Sequence, residues 1–309
     1  MQWSKIKTLF ILCFFILNIY LLIEFLNKQE QADLGVLEEQ ESSIEDQLES
    51  ENITIDDIHI DVTEESYISA EQKEFSQQER EQIADFDDQN TEVINDSIIV
   101  SQFEESISIP DDASGDDILT ILEDNILYLE EYVFGEWNNE MNVLVFFQEK
   151  NERSVYYNRS GIVLVFLDEE NNMEFYTQTI LEDAESQGDS RTLIQPIRAV
   201  EALYVNNELY PNEAVMSMDI GFYTRVPLEN NEQVFAPTYK ITLDTSNDEQ
   251  EYFVNAIEGT VLNNRYTDFL DEPIESIVAN IETMDDDSEL KNDVLERMEP
   301  MLDEDNGVN

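Results

Sequence analysis

Few side chains in this chain are of the types that ordinarily do chemistry. Its 309 residues include one histidine, His59, and one cysteine, Cys13. A Ser–His or Cys–His nucleophile needs a base within hydrogen-bond reach, held by a third group. His59 lies in an acidic N-terminal stretch without such company, and Cys13 lies inside an apolar run. A lone thiol builds neither a disulfide nor a thiolate zinc cluster. Carboxylates are the opposite case: 72 Asp and Glu stand against 15 Lys and Arg, for a net charge of −57. An acid/base pair of the glycosidase kind cannot be picked out of that background. Calcium takes oxygen ligands alone, so the loops opening at Asp168 (Asp-Glu-Glu-Asn-Asn) and Asp244 (Asp-Thr-Ser-Asn-Asp) are the candidates. Both lack the glycine at position six and the glutamate at position twelve, and both fall where a hairpin turn is expected. No phosphate loop, kinase or zinc-protease signature occurs. The expectation is a protein with no catalytic residues, no metal and no cofactor.

The charge also bounds the partners. A surface this acidic repels nucleic acid and anionic headgroups, and it repels itself until salt screens it. Acidity spread over the whole chain reads as adaptation to a saline or alkaline medium.

The informative chemistry is that of a bilayer. Residues 6–26 are 21 mostly apolar residues, roughly 31 Å as a helix, against a hydrocarbon core of about 30 Å. Lys5 and Lys7 precede the run, which keeps the N-terminus cytoplasmic and the remainder outside. The rivals are a cleaved signal peptide and a lipoprotein. Glu24-Phe-Leu-Asn-Lys-Gln-Glu after the run offers no small-residue cleavage site, and Leu12 before Cys13 is not the small residue that lipid processing wants. Asn18 sits in mid-span, where an amide seeks a partner across helices. Cys13, Phe14, Asn18 and Leu21 share a three- and four-spaced face and form the expected transmembrane interaction site.

Beyond the anchor (1–28), an acidic stalk is expected over 29–63, then α+β domains over 64–185 and 186–270, and an acidic tail over 271–309. Ser76-Gln-Gln-Glu79 is a capping box opening a short helix to about Asp85, flanked by strands at 64–70 and 95–100. Ile118, Leu122, Ile126, Leu129 and Val133 predict a helix over 116–134 with Gly135 as its C-cap. Strands follow at 142–148, 154–158, 162–167 and 173–181, and 182–190 reads as a linker. The order then repeats: a helix from Pro196 to 207, and strands at 214–226, 235–244, 251–257 and 260–262. Two tandem units, each a helix on one face of an antiparallel sheet, give the expected α+β architecture. The tail holds one amphipathic stretch, with Leu290, Val294, Leu295 and Met298.

The opening Met1-Gln-Trp-Ser-Lys-Ile-Lys-Thr-Leu-Phe-Ile and Asn18-Ile-Tyr-Leu-Leu-Ile-Glu-Phe resemble the start of the YycI (WalI) family. The likeness continues through Leu48-Glu-Ser-Glu-Asn-Ile-Thr-Ile, Tyr67-Ile-Ser-Ala and Pro196-Ile-Arg-Ala-Val-Glu-Ala-Leu-Tyr. It reaches Pro237-Thr-Tyr-Lys-Ile-Thr-Leu and Val254-Asn-Ala-Ile-Glu-Gly-Thr-Val-Leu, whose strand–turn–strand also resembles a PepSY-type ending. The resemblance implies a bitopic, non-enzymatic regulator of the WalK sensor histidine kinase, acting beside a YycH-like sister protein through transmembrane contacts to adjust cell-wall metabolism. It supplies no catalytic residues. The other readings open at this point are an anchored module binding a wall fragment or Ca²⁺, an anchored hydrolase, and a PepSY-like protease inhibitor.

Overall fold

The computed structural model describes residues 43–303 apart from 57, 87, 228–231, 246–248 and 263–268, together with Lys7, Leu12, Phe14, Phe15, Leu17, Asn18 and Ile19. The fold is α+β, built largely of antiparallel sheet with few helices. Residues 1–47 and 48–309 cluster as separate units.

Helix α1 (Ile44–Ser50) leads to a two-residue strand β1 (Thr54–Ile55), then β2 (Glu64–Glu71). The expected stalk is therefore folded in its second half. Helix α2 (Gln77–Ala84) starts at the capping box read from the sequence: the Ser76 N–H donates to Glu79 Oε2 at 2.7 Å, and the Glu79 N–H to Ser76 Oγ at 3.4 Å. Glu79 also receives Lys73 Nζ at 3.1 Å and the Tyr128 hydroxyl at 3.0 Å. Burial alone would raise its carboxyl. The hydrogen bonds from Ser76, Lys73 and Tyr128 outweigh that and hold it at about 2 instead of 4.5. A depressed carboxyl contributes its stability above the unfolded value and loses it as pH falls through the folded one. The thermal midpoint of Glu79→Gln is thus expected to lie below that of the parent above pH 5, the gap closing as pH approaches 2. Paired melting curves across that range check it, and a pH-independent gap would contradict the network.

Strands β3 (Gln89–Ile94) and β4 (Ile98–Ser108) form a hairpin with a three-residue connection, Asn95–Ser97, in which Asn95 and Asp96 are at positive φ. Helix α3 (Gly115–Leu122) is capped by Ser114, but it ends twelve residues short of the expected 134. Tyr128 takes a left-handed conformation (φ 54°), a 3₁₀ turn covers Leu129–Glu131, and Tyr132–Asn138 becomes strand β5 against β6 (Val143–Lys150). The aromatic and β-branched run Tyr132-Val-Phe favours a pleated surface, which overrides the helical spacing. Ile118, Leu122, Ile126 and Leu129 still share one core, while Gly135 lies under the Phe147 ring, where a Cβ would stand 2.5 Å from Cε2.

The meander continues through β7 (Arg153–Tyr156), β8 (Ile162–Leu167) and β9 (Asn172–Thr179), close to expectation. The expected linker is instead strand β10 (Glu185–Thr192), exposed on both faces and antiparallel to β2, with a bulge between Gln187 and Arg191. Helix α4 (Pro196–Val205) and strands β11 (Ala214–Pro227), β12 (Glu232–Asp244) and β13 (Glu249–Asn255) match their sequence patterns. A turn with Gly259 at φ 68° brings Val261 back to bridge Val254.

The hydrogen-bonded order is β10-β2-β12-β11-β7-β6-β8-β9-β4-β3, with β13 on β12, β1 on β11 and β5 on β6. This ladder runs across the boundary expected at 185/186: β2 pairs with β12, and β7 links β6 to β11. The β7–β11 contact requires Gly221, whose added Cβ would collide with the Ser154 carbonyl oxygen and the Tyr156 ring. Backbone on one side cannot yield, so Gly221→Ala is expected to cost about 1–3 kcal/mol, read as a lower denaturant midpoint. A change below 0.5 kcal/mol would mean that the two strands separate freely.

Both faces of the β6/β8/β9/β4 region are covered, not one. Ile99, Leu144, Phe146, Val163 and Val165 pack with Ile83, Ile118 and Leu122 of α2 and α3. Val100, Val143, Val145, Leu164 and Phe166 pack with helices α5 (Asp271–Ile281) and α6 (Glu289–Asp303). The expected acidic tail is therefore, through Asp303, a structural helical hairpin. Ile274, Ile277, Ile281, Leu290, Val294 and Met298 are buried in it. Lys291 closes it: its Nζ donates to the carbonyls of Glu282 (2.9 Å) and Met284 (3.0 Å) and pairs with Asp286 at 2.9 Å.

Candidate functional site

Of the four expected interaction residues, Phe14 and Asn18 are described, and both are helical and exposed. Asn18 Nδ2 donates to the Phe14 carbonyl at 2.9 Å, one turn back. This satisfies one amide hydrogen within the helix, one of the four hydrogen-bonding positions of a carboxamide. Leu12, Phe14, Phe15, Leu17 and Ile19 are exposed apolar side chains, Phe14 at 62%. Cys13 and Leu21 lie outside the described residues. Among the described residues no helix is long and apolar enough to cross a membrane.

Of the two calcium candidates, the loop at Asp168 is placed as a turn, and residues 246–248 of the other lie outside the described residues. Asp168 Oδ1 accepts the backbone N–H groups of Glu170 (2.8 Å) and Asn172 (2.9 Å), closing the β8–β9 connection. The Asn172 side chain and backbone hold its carboxyl below the usual range. Asp244 ends β12 and sits in the ladder opposite Ala214 and Glu249. Among the described residues no group of three or more His, Cys, Asp or Glu is placed to hold a metal ion.

Sequence reasoning missed one cleft, of about 420 Å³, between residues 59–62, β7 and β11. Asp61, Glu149, Glu152 and Asp219 line it beside His59, Arg153, Lys240 and Tyr156. Its cations are already spoken for: Arg153 pairs with Glu65 at 3.1 Å and Lys240 with Glu251 at 2.8 Å. His59 meets Asp61 at 2.9 Å at the open edge. Asp61, Glu152 and Asp219 are all open to water. The arrangement therefore does not seclude one carboxyl from solvent as an acid/base hydrolase does. No sequence signal pointed here, because the lining comes from five separate segments.

The fold is thus an α+β body with a large antiparallel sheet, preceded by exposed apolar helical residues. The model of the YycI protein family matches residues 31–257, and the chain belongs to the YycI family. The known role of that family is regulation of the WalK/WalR two-component system. No curated protein matches the chain. Among solved structures, an uncharacterized protein from Eubacterium rectale aligns with TM-score 0.43 at 9% identity, over 69% of this chain and 91% of that one. The Bacillus megaterium YpeB C-terminal domain aligns with TM-score 0.35 at 14% identity, over 61% and 96%. Likenesses this low carry no function across.

Proposed function

We propose that the chain is a non-enzymatic, single-pass regulator of a WalK-type sensor kinase. Residues 6–26 hold it in the cell membrane with the N-terminus inside, residues 29–42 tether it, and the folded body stands outside. The anchor packs sideways against the kinase's transmembrane helices, while the body meets a YycH-like sister protein. A regulator of this kind shifts a kinase only by the difference of its contact energies with the two signalling states. The observation that carries the reading is the family match over residues 31–257, and the apolar helical side chains around Asn18 support the anchor mechanism. The test is a membrane two-hybrid assay of residues 1–28 with the kinase. Association of the anchor alone supports the reading. No signal from the anchor, with a strong one from the body, rejects it.

The cleft favours a second reading, an anchored ligand-binding module. It predicts saturable binding of a wall fragment to the purified body, lost on Asp219→Asn. Titration calorimetry with muropeptides decides, and a flat titration removes it.

A further inference from the structure

The cleft between residues 59–62, β7 and β11 contains a buried polar group that the fold does not use. Tyr156 is only 3% exposed, and its ring is held from several sides. Phe147 meets it edge-on at 5.6 Å and Phe253 lies at 5.2 Å. Its Cε2 and Cζ rest on Gly221, where an added Cβ would stand 2.5 and 2.7 Å away. The hydroxyl makes no hydrogen bond among the described residues. Buried phenols ordinarily find a partner. This one lies in the cleft lining together with Asp219 and Arg153, whose charges act on it. Burial above all, and then the Asp219 and Glu251 charges, push the phenol above its ordinary range. It therefore stays protonated, with one hydrogen to donate and an oxygen that can accept.

The charge around it is unbalanced. Lys240 stands opposite Asp219 in the β11–β12 ladder, yet its ammonium pairs with Glu251 at 2.8 Å. Arg153 pairs with Glu65 at 3.1 Å. Neither Glu65 nor Glu251 lines the cleft, so both cations are neutralised from outside it. Glu149, Glu152 and Asp219 are left with no ion pair or side-chain hydrogen bond among the described residues. Phe134, Phe147, Met218 and Ile220 add apolar lining.

A site of this composition selects an organic cation. A bare divalent ion needs several oxygens converging on one point. Among the described residues no group of three or more His, Cys, Asp or Glu is placed to supply them. An alkylammonium needs less: a carboxylate for its charge, an oxygen to accept an N–H, and an apolar wall for its methylenes. At about 420 Å³ the cleft has room for a short chain ending in an amine.

We propose that the cleft binds the primary ammonium of a small aliphatic amine, with Asp219 meeting the charge and the Tyr156 oxygen accepting an N–H. The inference deepens and rests on the ligand-binding reading above. Two sources share this chemistry, the side-chain amine of a wall peptide and a free polyamine.

Titration calorimetry on the full-length chain in detergent tests it with three probes: cadaverine, a muropeptide with a free side-chain amine, and the same muropeptide N-acetylated. Cadaverine is expected to saturate one site per chain, and neutral pentanol to give no binding heat. Saturation by the free muropeptide as well assigns the wall source, and by cadaverine alone the polyamine source. Asp219→Asn and Tyr156→Phe should each weaken binding about tenfold. Glu170→Gln, on the exposed β8–β9 turn, should not. Tyr156→Phe should melt no lower than the parent, since the hydroxyl it removes has no partner in the fold. Flat titrations with cadaverine and the free muropeptide would overturn the proposal. So would a loss on Glu170→Gln equal to that on Asp219→Asn, which marks diffuse attraction to an acidic surface. A lower melting temperature for Tyr156→Phe would overturn it too, by showing that the fold uses the hydroxyl. Equal binding of the acetylated muropeptide would sink the amine site but leave the ligand-binding reading standing. Saturable cadaverine beside flat muropeptides would do the reverse for the wall fragment, which separates the two failures.

Discussion

Val294→Asp is expected to strip the C-terminal hairpin from the sheet and to destabilise the body by about 4–5 kcal/mol or more. Val294 is fully buried on α6, in the core that joins the hairpin to Val143, Val145, Leu164 and Phe166. The hairpin's cations near it are already committed, Lys291 to Asp286 and two carbonyls, and Arg297 to Glu174 and the carbonyls of Met141 and Leu167. Releasing α5 and α6 would uncover the second apolar face of β4, β6, β8 and β9. Thermal denaturation and limited proteolysis between 271 and 303 read the effect. Glu299→Gln on the exposed side of the same helix should leave both unchanged. If Val294→Asp melts like the parent, the hairpin is an appendage and not a wall of the core.

The second large effect is functional. Asn18→Leu is expected to weaken the association of the anchor with the kinase roughly tenfold, the equivalent of about 1–2 kcal/mol for an interhelical hydrogen bond. Insertion should be unaffected or improved, since leucine enters the bilayer more readily than asparagine. The Asn18 amide spends one hydrogen on the Phe14 carbonyl, and the expected loss is that of a bond from its remaining groups to a neighbouring helix. Energy transfer between labelled anchor and kinase in membranes measures the change. Unchanged transfer would mean that Asn18 is merely tolerated in the span.

Local chemistry made much of this fold legible. The Ser76 capping box, Pro196 at a helix start, and the turns at 150–153 and 168–172 each act over a few residues, and each stands where the sequence puts it. What was misread depends on distant packing. Val143–Phe147 and Ile162–Leu167 are continuous apolar runs, the mark of strands covered on both faces. One covering layer was evident in 116–134. The other had to come from a segment so acidic that it reads as a tail, although Ile274, Ile277, Ile281, Val294 and Met298 carry the needed periodicity. Strand β10 gave no signal, because Glu185–Thr192 has no apolar side chain and is held by backbone pairing to β2, the Gln187–Ser69 hydrogen bond and Arg191 over the Tyr67 ring. The lone His59 and four of the 72 acidic residues turn out to line one cleft. Only the tertiary fold brings those segments together. Phe14 and Asn18 lie one helical turn apart, while Cys13 and Leu21 lie outside the described residues.

Autophosphorylation of the partner kinase in proteoliposomes tests the central claim most directly. The rate should be compared with the full chain and with a chain whose residues 6–26 are replaced by an unrelated oligoleucine span. The full chain is predicted to change the rate several-fold, and the replaced chain, with its body intact and still at the membrane, to leave it at the kinase-alone value. Full regulation by the chain with the foreign anchor would contradict a mechanism that works through the transmembrane helix.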